Sequence, residues 1–427
     1  MSPEEAVKLI HDGDRVFIGI TNNISYLLCD ALWNRRNELK SVDIGLNNCL
    51  DEISLLSGKE PNPFQNIHTY FCGRGERASV KAGRHLYYTS YHLSQVEWWF
   101  RETFKPTVAM FMVSEPDENG RISFGASGMS AFYYAKEVAD KIIIQISKNV
   151  PYMNAGPLCY MNIDEADAIV LADSENPELP NVDIDETAIQ ISKYILDEIP
   201  DASTIQVGIG GLSTAVAYGL KDKNDLGIHT ELLTQPLAEL MQNGNVNNKY
   251  KGYMDGISVF SFAMGKADFY KYLDHNPNVY GDVFANVNDS YIVAKNKKMM
   301  SINAVMSMNL YGEVAADHMQ FRQFSAIGGQ LDFVRGAQMS EGGKSFLACT
   351  STIEKNGERK SRIVLNFEPG TPIATPRSDA QYVCTEFGCI NIKNLNMPDR
   401  VRAMISLAHP DFRDQLMDEA KEHHLIY

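Results

Sequence analysis

No window of the chain approaches the ~18 consecutive apolar residues that a membrane-spanning helix needs, so no such span is expected. Basic residues are scarce: 39 Lys and Arg stand against 54 Asp and Glu, a formal charge of −15. A field of that sign repels nucleic acid and anionic membrane surfaces, and no Lys/Arg cluster offsets it. The ten histidines show no HExxH or other ligand spacing, so no metal is expected. The seven cysteines (29, 49, 72, 159, 349, 384 and 389) are odd in number, scattered and without a CxxC pair. They read as buried free thiols of a reducing compartment rather than as disulfides or metal ligands. A serine-hydrolase elbow is missing, because Gly125-Ala-Ser-Gly128 places its second glycine one residue early for G-x-S-x-G. The N-terminus lacks a basic region followed by an apolar run, which argues against a secretory signal. Ser2, Pro3 and Glu5 instead make a capped helix start, so the mature protein is expected to begin here and to be cytoplasmic.

What is present fits an ordinary globular protein. The 427 residues, 44% hydrophobic and 22% charged, exceed what one core usually serves, so two domains are expected. Short apolar runs alternate with amphipathic segments, the pattern of α/β architecture. Strands are expected at 15–20, 108–113, 141–146 and 168–171, and a helix over 24–36. Residues 173–185 are acidic, hold Pro177 and Pro180, and have no apolar period, which makes them a linker. Beyond it the opening repeats: helix 186–198, strand 204–209, a Gly210-Gly211 turn and helix 212–220. Two similar open α/β domains, 1–180 and 186–427, explain this order. The last ~30 residues, from Asp399, read as helical, with Ala403, Leu407 and Leu416 facing a core.

Gly208-Ile-Gly-Gly-Leu212 ends a strand and opens a helix. Glycines there let backbone N–H groups approach a ligand, and the helix terminus favours negative charge. Gly73-Arg-Gly-Glu-Arg-Ala78 matches G-x-G-x-x-A literally, but a loop with two exposed arginines is the better reading. Gly328-Gly329, followed by Glu341-Gly-Gly-Lys344, suggests backbone crowded around a ligand, and Lys344 could meet a phosphate. Residue type alone does not distinguish Glu231 from the other acids.

Gly208-Ile-Gly-Gly-Leu212, Gly227-Ile-His-Thr-Glu231 and Gly328-Gly-Gln-Leu-Asp-Phe333, in that order and spacing, resemble the acetyl-CoA hydrolase/transferase family. Within it the chain is most similar to the 4-hydroxybutyrate and butyryl-CoA:acetate CoA-transferases. Thr375-Pro-Arg377, Tyr382-Val-Cys-Thr-Glu-Phe-Gly388 and Ala408-His-Pro-Asp-Phe412 add to the match. The resemblance implies two fused class I CoA-transferase halves with the active site between them. Residues 1–180 would form the acyl-pocket side, and 186–427 the nucleophile and CoA side. It also implies a ping-pong transfer of CoA between an acyl-CoA and a short carboxylate, through a glutamyl-CoA thioester on Glu231. Coenzyme A would be a substrate, no metal would be needed, and the protein would be a homo-oligomer, a dimer or tetramer. The expected CoA contacts are Gly208, Ile209, Gly210, Gly211, Leu212, Gly328 and Gly329, with Asn309 and Lys344. An acyl-CoA hydrolase using the same Glu is the alternative, and a non-catalytic CoA-binding protein a distant third.

The first half departs from the family. Gly19-Ile-Thr-Asn-Asn-Ile24 replaces a glycine-rich turn, and Arg74 stands where relatives are uncharged. Leu232-Leu-Thr-Gln-Pro236 also differs from the usual segment after the nucleophile. Asn22, Asn23 and Arg74 are therefore expected to bound a pocket that tolerates a second polar end on the acid. Candidate acids run from butyrate, acetate and 4-hydroxybutyrate to small dicarboxylates such as succinate and itaconate.

Overall fold

The structure, a computed structural model, describes residues 1–179, 183–355 and 357–427; Pro180, expected in the linker and as the first domain's boundary, lies outside them. Seven strands of the first half, β1 (Arg15–Ile20), β2 (Asp43–Asn47), β3 (Asn66–Thr69), β4 (His85–Tyr88), β5 (Val108–Val113), β6 (Lys141–Ile146) and β7 (Ala168–Leu171), form one parallel sheet. Their order is β4-β3-β2-β1-β5-β6-β7. The second half supplies β8 (Thr204–Val207), β9 (Gly227–Thr234), β10 (Ser258–Met264), β11 (Val279–Gly281), β12 (Met299–Ala304), β13 (Lys344–Ala348), β14 (Tyr382–Thr385) and β15 (Gly388–Asn391). These run β11-β10-β9-β8-β12-β13-β14-β15, parallel except for the β14–β15 hairpin. The two sheets therefore share one topology, and the repeated order read in the sequence is a repeated fold. In each sheet the first strand is central and the chain reverses direction beside it. Ligands of open α/β sheets bind in the crevice at such a switch point, outside the carboxyl ends of the strands.

Local chemistry explains the element starts. Ser2 and Glu5 close the expected capping box, and Ser25 and Asp185 cap the helices Tyr26–Asn34 and Glu186–Asp197 through their side chains. All six residues of β5 are buried, as a parallel strand covered on both faces requires. The terminal helices Met397–Leu407 and Pro410–Glu422 bury Leu407 and Leu416 against a satellite cluster.

One apolar cluster runs through both halves, joining Phe17, Phe111 and Phe132 to Ile191, Ile228 and Phe260. Backbone bonds cross the joint, from Gly156 N–H to the Gly281 carbonyl (2.8 Å) and from Gly281 N–H to Asn154 (2.9 Å). Five cysteines are buried free thiols as expected, but Cys384 and Cys389 form a disulfide. They sit directly opposite each other across the β14–β15 hairpin, a register that cysteine spacing alone does not reveal.

Candidate active site

Strand register builds the site. Thr204 pairs with both Gly227 and Met299, and His229 pairs with Val259. Because side chains alternate between faces, Ser261, Glu231, Gly208 and Asn303 fall in one row on the same face. His229, Gln206 and Ser301 fill the row behind them. The opposite face is apolar, with Ile205, Val207, Ile228 and Ile302 in the core. A parallel sheet covered on both sides normally reads as continuous apolar runs, so this polar face marks a site.

Glu231 is held from two directions. The Asn288 amide donates to its Oε2 at 2.7 Å, and the Ser261 hydroxyl fixes Asn288 by donating to its Oδ1 (3.1 Å). The Gly329 N–H faces the same carboxylate. Gly329 has an ordinary negative φ, so backbone freedom is not why it is glycine. A Cβ there would run into Glu231 Oε2 and the Asn288 amide. Burial pushes the Glu231 pKa up to about 7; the Asn288 bond pulls it down, the nearby Asp332 carboxylate raises it, and the Gly329 N–H lowers it. Asp332 is itself raised to about 7 by burial, against two bonds from Ser94 of the first half. Burial thus poises Glu231 between its two forms near neutral pH. His229 is no acid–base partner. It is sealed below the site, its Nε2 bonds the Val287 carbonyl (2.8 Å), and burial holds its pKa down to about 3.

The Glu231 carboxylate opens on a cavity of about 150 Å³ between the two halves. Gly208, Gln206, Asn303 and the Gly328-Gly329 turn line it from the second half, and Asn48 and Phe71 from the first. Glu231 is the only charged residue of the lining among the described residues. A wider groove of about 620 Å³ adjoins it, sharing Gly208, Ile209 and Met264 and running past Gly210, Tyr218 and Lys266. Gly210 has φ +104° and would carry a Cβ into open space, so its glycine serves the turn and leaves bare backbone towards the groove.

Of the residues singled out in the sequence, the fold brings together Glu231, Gly208, Ile209, Gly328 and Gly329 in the cavity and Gly210 in the groove. Gly211 starts the helix Gly211–Gly219 and Leu212 packs on the core; neither lines the two spaces. Asn309 is buried in a turn, bonded to Glu313 (2.7 Å) and the Tyr311 N–H (3.1 Å). Lys344 pairs with Glu198 at 2.7 Å and lies outside both spaces.

The expected acyl-pocket residues stand elsewhere as well. Asn22 donates to the Ala263 carbonyl (3.2 Å) and the Tyr270 hydroxyl (2.7 Å). Asn23 donates to Met112 and accepts from the Ser127 and Gly128 amides. Both amides are spent inside the protein, where the polar turn 19–24 substitutes side-chain bonds for glycine backbone. Arg74 is 63% exposed beside Glu52 (3.5 Å) and does not reach the cavity. The Gly73–Ala78 match is no phosphate loop either. The Glu76 carboxylate takes the Gly73 and Cys49 amides, and both glycines are packed against residues 48–51. Arg77 is half-buried rather than exposed, and donates to the Phe324 carbonyl across the joint (2.8 Å).

Asn48, Phe71, Gln206, Asn288, Asn303 and Asp332 were missed. The alternations Ile205-Gln206-Val207 and Met300-Ser301-Ile302-Asn303 were the readable signal for the polar face. The others depend on long-range packing.

Known proteins resemble this chain over nearly its whole length. The family model for the acetyl-CoA hydrolase/transferase N-terminal domain matches residues 1–179, and that for the C-terminal domain matches 265–420. The 4-hydroxybutyrate coenzyme A transferase of Clostridium kluyveri is 35% identical, covering 99% of this chain and 97% of its own. The butyryl-CoA:acetate CoA-transferase of Anaerostipes caccae is 32% identical, over 98% and 95%. The crystal structure of RipA from Yersinia pestis superposes with a TM-score of 0.91 at 34% identity, covering 100% of this chain and 98% of that one. Two matched domain models, full-length relatives and a shared two-sheet fold place this chain in the acetyl-CoA hydrolase/transferase family.

Proposed function

We propose that this protein transfers CoA from an acyl-CoA to a short carboxylic acid through a glutamyl-CoA thioester on Glu231. The observation that carries the reading is the buried Glu231 carboxylate, held by Asn288 and Gly329 in a small cavity beside a wider groove. Its ionised oxygen attacks the thioester carbonyl; the C–S bond breaks, giving a mixed anhydride and CoA thiolate. The thiolate attacks the glutamyl carbonyl, and the anhydride C–O bond breaks to release the free acid. A second carboxylate reverses both steps, so no net proton moves. Each tetrahedral step builds an oxyanion, for which the Gly329 N–H is the placed donor. Water must be kept from the anhydride and thioester, which an acyl-CoA filling the small cavity would do.

The groove past Gly208, Ile209 and Gly210 is the path for the pantetheine arm, with Lys266 as a cation on its wall. Gly211, Leu212, Asn309 and Lys344 make no contact in this reading, and the acyl end lies in the cavity rather than near Arg74. Relatives named as acetyl-CoA hydrolases are only 22–23% identical over 59–67% of this chain, which favours transfer over hydrolysis. The reading keeps the cytoplasmic location and homo-oligomeric state expected from the sequence, which cell fractionation and light scattering check. Initial rates with varied acyl-CoA and acid test the chemistry. Parallel double-reciprocal lines are expected. Intersecting lines, or CoA release without added acid at the same rate, reject it.

A further inference from the structure

Glu231 and Asn303 stand in the same row of the sheet, two strands apart, with Gly208 between them. Glycine leaves that strip of sheet bare, so an acyl group lying over Gly208 has the nucleophile on one side and Asn303 on the other. Behind it Gln206, Ser301 and Asn303 form a chain. Asn303 Nδ2 donates to Ser301 Oγ (2.9 Å), and the Ser301 hydroxyl donates to Gln206 Oε1 (2.7 Å). Gln206 is 4% exposed, Asn303 8%, and Ser301 is fully buried.

The chain fixes what is left over. With Gln206 Oε1 and Asn303 Nδ2 engaged, Gln206 Nε2 and Asn303 Oδ1 have no protein partner among the described residues, and both residues line the cavity. Running the chain in the opposite sense only exchanges the two roles, because Ser301 has one proton to give. In either sense the wall presents one wholly unpartnered amide NH2 group and one wholly unpartnered amide oxygen. A hydroxyl matches that pair, since it can accept and donate at once. A second carboxylate offers acceptors only, and no cation in the lining replaces its hydration. An alkyl end leaves both amide groups unpaired, and sites built to bond a hydroxyl strongly reject analogues that lack it.

We propose that Gln206, set by Ser301 and Asn303, determines which acid this cavity selects: a short carboxylic acid bearing a neutral hydroxyl at its far end. This rests on the transferase reading of Glu231. It replaces the dicarboxylate pocket that Arg74 suggested.

The test compares kcat/KM for 4-hydroxybutyrate, butyrate and succinate as acceptors from acetyl-CoA, in wild type, Gln206→Met and Ser301→Ala. Wild type is expected to favour the hydroxy acid over butyrate by at least about 10-fold, and over succinate by more. Gln206→Met should lower the hydroxy-acid value at least about 10-fold more than the butyrate value. Ser301→Ala, which leaves Gln206 in place but unlocked, should shift the same ratio less. If Gln206→Met fails to fold, the Ser301→Ala ratio decides alone. Equal losses for both acids, or a wild-type preference for butyrate or succinate, overturn the role of Gln206 while transfer stands. Absence of transfer to any acid by wild type overturns the reading of Glu231, and this inference with it.

Discussion

The two halves share a strand order and little else at their carboxyl ends. In both, the first residues of the two central strands are paired, Arg15 with Asp43 and Thr204 with Gly227. Counting along β2 and β9 from there, Asn47 holds the position in the first half that Glu231 holds in the second. Asn47 is buried and accepts from Thr69, Tyr70 and Phe71, tying a turn together. Glu231 faces a cavity. The turns after the first strands diverge in the same way. Gly208 to Gly210 leaves backbone open to the cavity and groove, whereas Asn22 and Asn23 fill the corresponding turn and fasten it inside the protein. A repeated fold supplies two switch points, and only the second half keeps bare backbone and a carboxylate facing a cavity at its own.

Paired substitutions at Asn47 and Glu231 probe that contrast most strongly. Glu231→Gln should cost at least about 1,000-fold in turnover with the fold intact. Asn47→Ala should instead remove about 1–3 kcal/mol of stability, because it orphans three bonds, while the folded fraction stays active. Denaturant melts and turnover on both variants check this; Glu231→Gln retaining more than a few per cent of activity breaks the comparison.

Gly329→Ala sharpens it on the backbone side. A Cβ there displaces the carboxylate and disturbs the Asn288 amide, so a loss of about 100- to 1,000-fold in kcat is expected, with only a modest change in Tm. Parallel loss of Tm and activity would return Gly329 to an ordinary turn residue.

Protonation gives the next largest effect. Glu231 and Asp332 both have pKa values raised to about 7 by burial, so turnover should climb as pH rises from 6 to 8. Stability moves the other way. A carboxyl raised above its unfolded value holds more protons in the native state between the two pKa values, so its stabilising share is lost as pH rises through that window. Glu231→Gln does not titrate, so its stability advantage over wild type should grow between pH 5 and pH 8, read from Tm differences. A constant difference contradicts the raised pKa.

Arg74→Ala should do least, changing every acid's kcat/KM by less than about 2-fold, since an exposed pair at 3.5 Å carries little energy. A selective loss for succinate would bring Arg74 back to the pocket.

Strand and helix identities were legible wherever local pattern was strong, as at Arg15–Ile20, Lys141–Ile146 and Glu186–Asp197. The glycine motifs led to Gly208 and Gly329 because each motif spans its own turn, whereas Glu231, inside β9, was reached only through the family resemblance. The first-half wall was not legible, because Asn48 and Phe71 reach the cavity through loops whose course is set by the joint. Asn22, Asn23 and Arg74 looked functional because they are polar and unusual. Their bonds to Ala263, Met112 and Glu52 are visible only in three dimensions. Gln206 and Asn303 were one alternation count away.

The central claim is a covalent bond between CoA and Glu231. Protein incubated with acyl-CoA and no acceptor acid, reduced with borohydride and digested, can be mapped by mass spectrometry. The account predicts a CoA adduct before reduction and an alcohol at Glu231 after it, both absent in Glu231→Gln. A modified residue elsewhere, or full transfer activity with no adduct, would contradict it.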